Sequence, residues 1–221
     1  MKLLFIDTET NGLPLNKYAP YTSTEIWPHI LQISWQIVEL GQLNKLTVLK
    51  EEDHFLTLRS AWNKDAERVH QIPESIIRKF GKDPAVVLAN LYKDISICDY
   101  IVGHNLSFDK NVILSEVQRI YMFGDFLVSQ VSPSKFWFKK QEICTMKLSK
   151  SFCNIKFKDS NDNKFPKLNE LYLKLFNTEY DISGANLHNS KHDVSCLVSC
   201  FREIIKRDDP AFIELVKNLT A

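Results

Sequence analysis

Leu3-Leu4-Phe5-Ile6-Asp7-Thr8-Glu9-Thr10, close to the start of the 221-residue chain, decides how the rest is read. Four apolar residues in a row, with no polar alternation, describe a strand covered on both faces. Asn11-Gly12-Leu13-Pro14 then breaks it. A central strand is expected over residues 2–9. Side chains two apart on a strand share a face, so Asp7 and Glu9 emerge together at its end. Two anions packed this closely repel unless one keeps a proton or a cation neutralises them. Carboxylate oxygens suit a hard ion such as Mg²⁺ or Mn²⁺. The simpler alternative is that the strand stops at Glu9 and both acids are solvated.

Working outward, Ile30 to Leu40 (ILQISWQIVEL) alternates apolar and polar residues, with Ile33, Trp35 and Ile37 on one face. Leu46 to Leu58 reads as a third strand with an irregularity near Asp53. Three consecutive strands at this spacing suggest an antiparallel meander. Residues 61–80 read as helices, with Pro73 in the first turn of one of them. Pro84 to Ile97 is amphipathic, its buried stripe being Val87, Leu88, Leu91 and Ile95. Tyr100 to Gly103 is a short buried strand, followed by a helix from about Ser107 to Tyr121. Residues 141–152 read as a short helix, 154–167 as a loop and 167–176 as a helix, and the last strong helix spans 191–206. Strands, helices, a strand and more helices make an α/β domain with a mixed sheet, taken as one domain over residues 1–221.

Composition excludes other classes. The chain is 44% hydrophobic and 25% charged with only six Gly and eight Pro, which excludes a disordered or low-complexity chain. The net charge of +1 gives no global field for nucleic acid, so such a partner must be gripped locally. Five cysteines, an odd number with no C-x-x-C pair, argue against a disulfide framework or structural zinc. Cys196 and Cys200, four apart, read as small apolar fillers of a helix face. No stretch approaches the ~20 apolar residues of a membrane span, and the expectation is a soluble cytoplasmic protein without a membrane partner. Residues 135–167 hold nine Lys and three acids, +6 locally, against −5 for the remainder. With Phe136, Trp137 and Phe138 interleaved, this segment either tracks a phosphate backbone or is a solvated loop whose aromatics pack inward.

Two further acids stand apart. Asp109 lies near a helix start, where an acid also complements the positive helix end, worth about 0.3–1 kcal/mol. Asp193 follows Ser190-Lys191-His192, an approximate capping box in which Ser190 would cap the last helix. His188 lies five residues before Asp193; five residues on one helix would turn the two side chains apart, so His188 is placed in the preceding loop.

Phe5-Ile6-Asp7-Thr8-Glu9-Thr10-Asn11-Gly12-Leu13, Val102-Gly103-His104-Asn105-Leu106-Ser107-Phe108-Asp109 and Leu187-His188-Asn189-Ser190-Lys191-His192-Asp193-Val194 together resemble the three motifs of the DEDD superfamily of 3′–5′ exonucleases, in its His-containing branch. That branch includes proofreading subunits of bacterial polymerases and RNase T. The motifs occur in the family's order across residues 5–194. Ser190 stands where the family commonly has Ala, and Asn189 stands where the tyrosine branch has Tyr. The resemblance implies a ribonuclease H-like mixed five-stranded sheet flanked by helices, and hydrolysis from a DNA 3′ end to nucleoside 5′-monophosphates. Two divalent ions, Mg²⁺ or Mn²⁺, about 3.5–4 Å apart, would be held by Asp7, Glu9, Asp109 and Asp193, with His188 as general base. Thr8, Thr10, Leu13, His104, Asn105 and Phe108 are the implied substrate contacts, with core packing the alternative for Leu13 and Phe108. The implied partner is single-stranded or 3′-ended nucleic acid, DNA favoured over RNA, and a polymerase is a further candidate. The same chemistry on RNA, an aspartate-nucleophile phosphatase and an inactive binding module are the competing readings. Glu9 in place of a second Asp disfavours the phosphatase, and the intact acids disfavour the inactive module.

Overall fold

A computed structural model describes residues 1–123, 132–137, 140–180 and 189–220. Strands β1 (Lys2–Thr10), β2 (Ile30–Leu40) and β3 (Leu46–Phe55) form the expected meander. Three helices follow: α1 (Lys64–His70), α2 (Glu74–Phe80) and α3 (Pro84–Ser96). Next come β4 (Tyr100–Gly103), α4 (Leu106–Met122), a single turn α5 (Pro133–Phe136) and β5 (Gln141–Cys144). The chain continues through the single turns α6 (Thr145–Leu148) and α7 (Lys150–Cys153) to α8 (Leu168–Phe176), α9 (Ser190–Ile204) and α10 (Ile213–Thr220). The sheet order is β3-β2-β1-β4-β5. β1 is antiparallel to β2 and parallel to β4, and β4 is parallel to β5, which is the mixed five-stranded sheet expected.

Both faces of the sheet are covered, which is why Leu3 to Ile6 can be apolar without interruption. Leu4 and Ile6 join Ile33, Trp35 and Ile37 in a core closed by α3 and α4. Leu3 and Phe5 join the opposite core, closed by α9. There Phe201 meets Phe5 edge-on, with ring centroids 5.2 Å apart. The alternation of β1 therefore aims its odd-numbered residues at α9, and Asp7 and Glu9 continue that series. The polar residues of β2 that share this face, Gln32, Ser34 and Gln36, are buried as well.

The structure differs from the sequence reading at several points. Residues 141–152 begin as the edge strand β5 and continue as two single turns. The irregularity in the third strand falls opposite Ile37/Val38, near Leu49, and Asp53 sits in regular pairing with Ser34. The last helix is capped by Asn189, whose side chain accepts from the Lys191 amide, because the hydroxyl of Ser190 is turned to Ser34. A further helix, α10, follows it and buries Leu215 and Leu219. Phe136 and Trp137 are core residues, which favours the inward-packing reading there; Phe138 lies outside the described residues. All five cysteines are free thiols, Cys196 and Cys200 buried as expected. No helix among the described residues is long and apolar enough to cross a membrane.

Candidate active site

The site forms where the sheet opens. β1 and β4 pair only from Leu3/Tyr100 to Phe5/Val102. Beyond that point the chain leaves β4 and turns into α4. Gly103 allows the turn, since a Cβ there would lie 2.8 Å from Leu106 Cδ1. Asn105 completes it in the left-handed region (φ 70°, ψ 37°), which Asn tolerates better than most residues. The first turn of α4 thereby faces the unpaired end of β1. Asp109, 2% exposed, accepts two hydrogen bonds on Oδ1: from the Thr8 amide at 3.1 Å and from Thr8 Oγ1 at 2.7 Å.

On the other side, α9 presents Asp193 from its first turn. Asp7, Glu9 and Asp193 each offer a carboxylate oxygen, all within 4.8 Å of one another. Stretches of chain about 100 and 85 residues apart thus meet in one place.

The electrostatics are those of carboxyl groups buried close together. Burial raises the Asp7 carboxyl well above the usual carboxylate range, and Asp109, Asp193 and Glu9 push it further. Glu9 is pushed up to about 9, first by burial and then by Asp193 and Asp109. Asp109 is raised to about 7 by burial, which outweighs the lowering by its bonds from Thr8. A donor set made only of carboxylate oxygens, each destabilised by its neighbours, fits a hard divalent cation. Asp7, Glu9 and Asp193 are close enough together to hold such an ion.

Thr8, an implied substrate contact, is 7% exposed and commits both its amide and hydroxyl to Asp109. Thr8→Val keeps the shape and removes the hydroxyl. Partners of this kind set ligand orientation, so divalent affinity is expected to fall by roughly 10–100-fold. Isothermal titration with Mn²⁺ measures this, and unchanged affinity would show that the Thr8 amide and α4 orient Asp109 without the hydroxyl.

The remaining residues of the motifs are distributed around the opening. Thr10 Oγ1 donates to the Gly12 carbonyl at 2.6 Å and shapes the turn after β1. Leu13 is 82% exposed, which rules out core packing for it. Phe108 is half-buried against Trp27, ring centroids 6.5 Å apart, and Asn105 is exposed. His104 Nε2 lies 2.9 Å from the Pro166 carbonyl and therefore donates to it, leaving Nδ1 to accept from Thr145 Oγ1 at 3.0 Å. Burial holds its pKa below the ordinary value. His104 thus ties the 145–167 segment to the β4–α4 corner. His188 lies outside the described residues.

No protein-family model and no curated protein sequence matches the chain. Solved structures do. E. coli Exonuclease I in complex with a dA16 oligonucleotide matches with a TM-score of 0.69 at 15% identity, over 98% of this chain and 43% of that one. The zinc ion bound form of an E. coli ExoI–ssDNA complex gives 0.71 at 16% identity, over the same shares. A moderately thermophilic Exonuclease I from Methylocaldum szegediense gives 0.69 at 13%, again over 98% and 43%. This chain spans less than half the length of those proteins, and at these identities the shared property is the fold.

Proposed function

We propose that this chain is a metal-dependent 3′–5′ exonuclease that releases nucleoside 5′-monophosphates from DNA, residues 1–221 acting as one exonuclease domain. One observation carries the reading: Asp7, Glu9 and Asp193 converge within 4.8 Å beside the buried Asp109, on a fold shared with Exonuclease I. Single-stranded DNA is the favoured substrate, because the similar structures include complexes with dA16 and with ssDNA.

Bound divalent ions would supply polarisation of the scissile phosphodiester and a more acidic attacking water. The protein's share follows from its geometry. Asp7, on β1, lies within 4.8 Å of Glu9 and Asp193, and Asp109 is near enough to raise its carboxyl. Asp109 is kept in place by Thr8. His188 takes the proton of the attacking water, a role suited to an ordinary His pKa of about 6.5. The 3′-terminal nucleotide lies against Thr10, Leu13, Asn105 and Phe108. Farther along the strand, the exposed rings of Phe157 and Phe165 offer stacking faces in the lysine-rich segment, with Lys150 Nζ 4.8 Å over the Phe165 ring.

The test uses 5′-end-labelled single-stranded DNA, duplex DNA with a mismatched 3′ end, and RNA, each with Mg²⁺, Mn²⁺ or chelator. The expected result is a ladder that shortens from the 3′ end, fastest on single-stranded DNA and absent in chelator. Shortening of RNA alone would move the activity to the exoribonuclease reading. Binding with no metal-dependent shortening would leave an inactive nucleic-acid-binding module.

A further inference from the structure

The face of the sheet that carries Asp7 and Glu9 continues across β2 and β3 as a band of polar side chains. Asp7 pairs in register with Ser34, and Ser34 with Asp53, so the three form one row across three strands. Ser34 Oγ lies 2.8 Å from Asp53 Oδ1 and 2.7 Å from Ser190 Oγ. The carboxylate only accepts, so the Ser34 proton goes to Asp53 and Ser190 must donate to Ser34. Gln32 Nε2, opposite Glu9 in the sheet, donates to the same Asp53 oxygen at 2.8 Å and to Asn189 Oδ1 at 3.3 Å. Asn189 Oδ1 also caps α9 through the Lys191 amide at 3.1 Å. Asp53 therefore reaches the first two residues at the start of α9, cap included, through two buried side chains.

The arrangement repeats once. Gln36 Nε2 donates to Glu51 Oε2 at 2.8 Å and to Ser195 Oγ at 3.4 Å, and Lys191 Nζ stands 3.2 Å from Glu51 Oε1. Each rung runs from an acid on β3, through a polar side chain on β2, to a serine on α9. The spacings agree: Asp53 and Glu51 are two residues apart on a strand, about 6.6 Å, while Ser190 and Ser195 are five apart on a helix, about 7.5 Å. Asp193 lies between the two rungs.

Apolar packing of Val194, Leu197 and Phe201 already holds α9 to the sheet. Apolar contacts are non-directional and leave a helix some freedom to slide and roll. Burying Gln32, Ser34 and Ser190 costs free energy unless each is bonded, so a polar band in a packed interface calls for a reason. We propose that Asp53, with Glu51 as the more exposed second anchor, is a positioning residue: it clamps the start of α9 through Ser34 and Gln32 and so sets Asp193 opposite Asp7 and Glu9. The clamp rests on the exonuclease reading for its catalytic consequence and on geometry alone for its effect on divalent binding.

The test compares Asp53→Ala, Asp53→Asn and Ser34→Ala in the full chain. It measures kcat and KM on single-stranded DNA with Mg²⁺, together with the rise in melting temperature produced by Mn²⁺. Asp53→Ala is expected to lower kcat by roughly 10–100-fold, with KM little changed, and to shrink the Mn²⁺-induced rise. Asp53→Asn retains an oxygen that accepts the same two bonds and is expected to recover both values, which a role through charge would not allow. Ser34→Ala cuts one of the two paths and falls in between; it decides the matter if Asp53→Ala does not fold. Wild-type kcat and Mn²⁺ response in Asp53→Ala would overturn the clamp, as would an Asp53→Asn protein as impaired as Asp53→Ala. A wild-type chain without nuclease activity, whose Mn²⁺ response nevertheless fails in Asp53→Ala, would refute the exonuclease reading and support the clamp.

Discussion

Asp7→Asn is expected to lose at least about 10³-fold of the exonuclease turnover and, in chelator at pH 8, to melt at a higher temperature than the wild type. The two effects have one cause. Asp7 stands among Glu9, Asp109 and Asp193, and its carboxyl is raised by burial and then by all three. An acid whose pKa is higher in the folded chain holds its proton there while the unfolded chain has already released it. The folded state then binds more protons, and its stability falls as pH rises. For this site the decline begins near pH 4, where ordinary carboxylates ionise. It continues through about 7 for Asp109 and about 9 for Glu9. The isosteric amide removes one buried anion from the cluster. Each kcal/mol recovered corresponds to roughly 2–4 °C in a chain of this size. Saturating Mg²⁺ or Mn²⁺ is expected to flatten the alkaline decline of the wild type and to do so less for Asp7→Asn. Thermal unfolding across pH 4–9, with and without the ion, reads the stability arm. Retained turnover in Asp7→Asn would remove Asp7 from the chemistry; a lower melting point in chelator would contradict the strain assigned to the cluster.

His188→Ala is expected to reduce kcat by roughly 10²–10⁴-fold, the range for loss of a positioned acid–base group, with KM almost unchanged. His188 directly precedes Asn189, which is fixed by the Lys191 amide and by Gln32. The proton of the attacking water must leave as the new bond to phosphorus forms, and a positioned base has to take it. An imidazole with an ordinary pKa of about 6.5 accepts that proton at neutral pH. His188→Ala should also lack the low-pH limb that an imidazole base gives to kcat. Equal turnover, or an unchanged pH profile, would assign the proton to another group.

Much of the site was legible because its acids lie on strongly patterned elements. The apolar run from Leu3 to Ile6 marks a central strand, and the stripes Val112, Ile113, Val117, Ile120 and Val194, Leu197, Phe201, Ile204 mark the two helices that bring Asp109 and Asp193 to it. β5 lacked such a pattern: four residues at a sheet edge, of which Ile143 is buried, cannot show an alternation. α10 fails for a similar reason, since a pair of buried leucines in eight residues is too short a stripe. β3 buries only Leu46 fully, so its sequence carries little information on where its pairing slips. Ser190 looked like a cap because local rules favour Ser there; a partner 156 residues away claimed its hydroxyl. The role of Thr8 and the row through Asp53 were hidden for the same reason. They exist only once the strands are in register, and a single sequence does not display register.

The brevity of β4 has a meaning of its own. Its ladder with β1 stops at Phe5 and Val102, and past that fork the Thr8 amide turns to a side chain instead of a backbone carbonyl. One or two more rungs of strand would zip the gap shut, satisfy that amide with main chain and evict Asp109 from its seat. Four residues are thus a functional dimension of this sheet, and a graft or redesign that idealised β4 to ordinary strand length would gain backbone pairing while erasing the acidic nest.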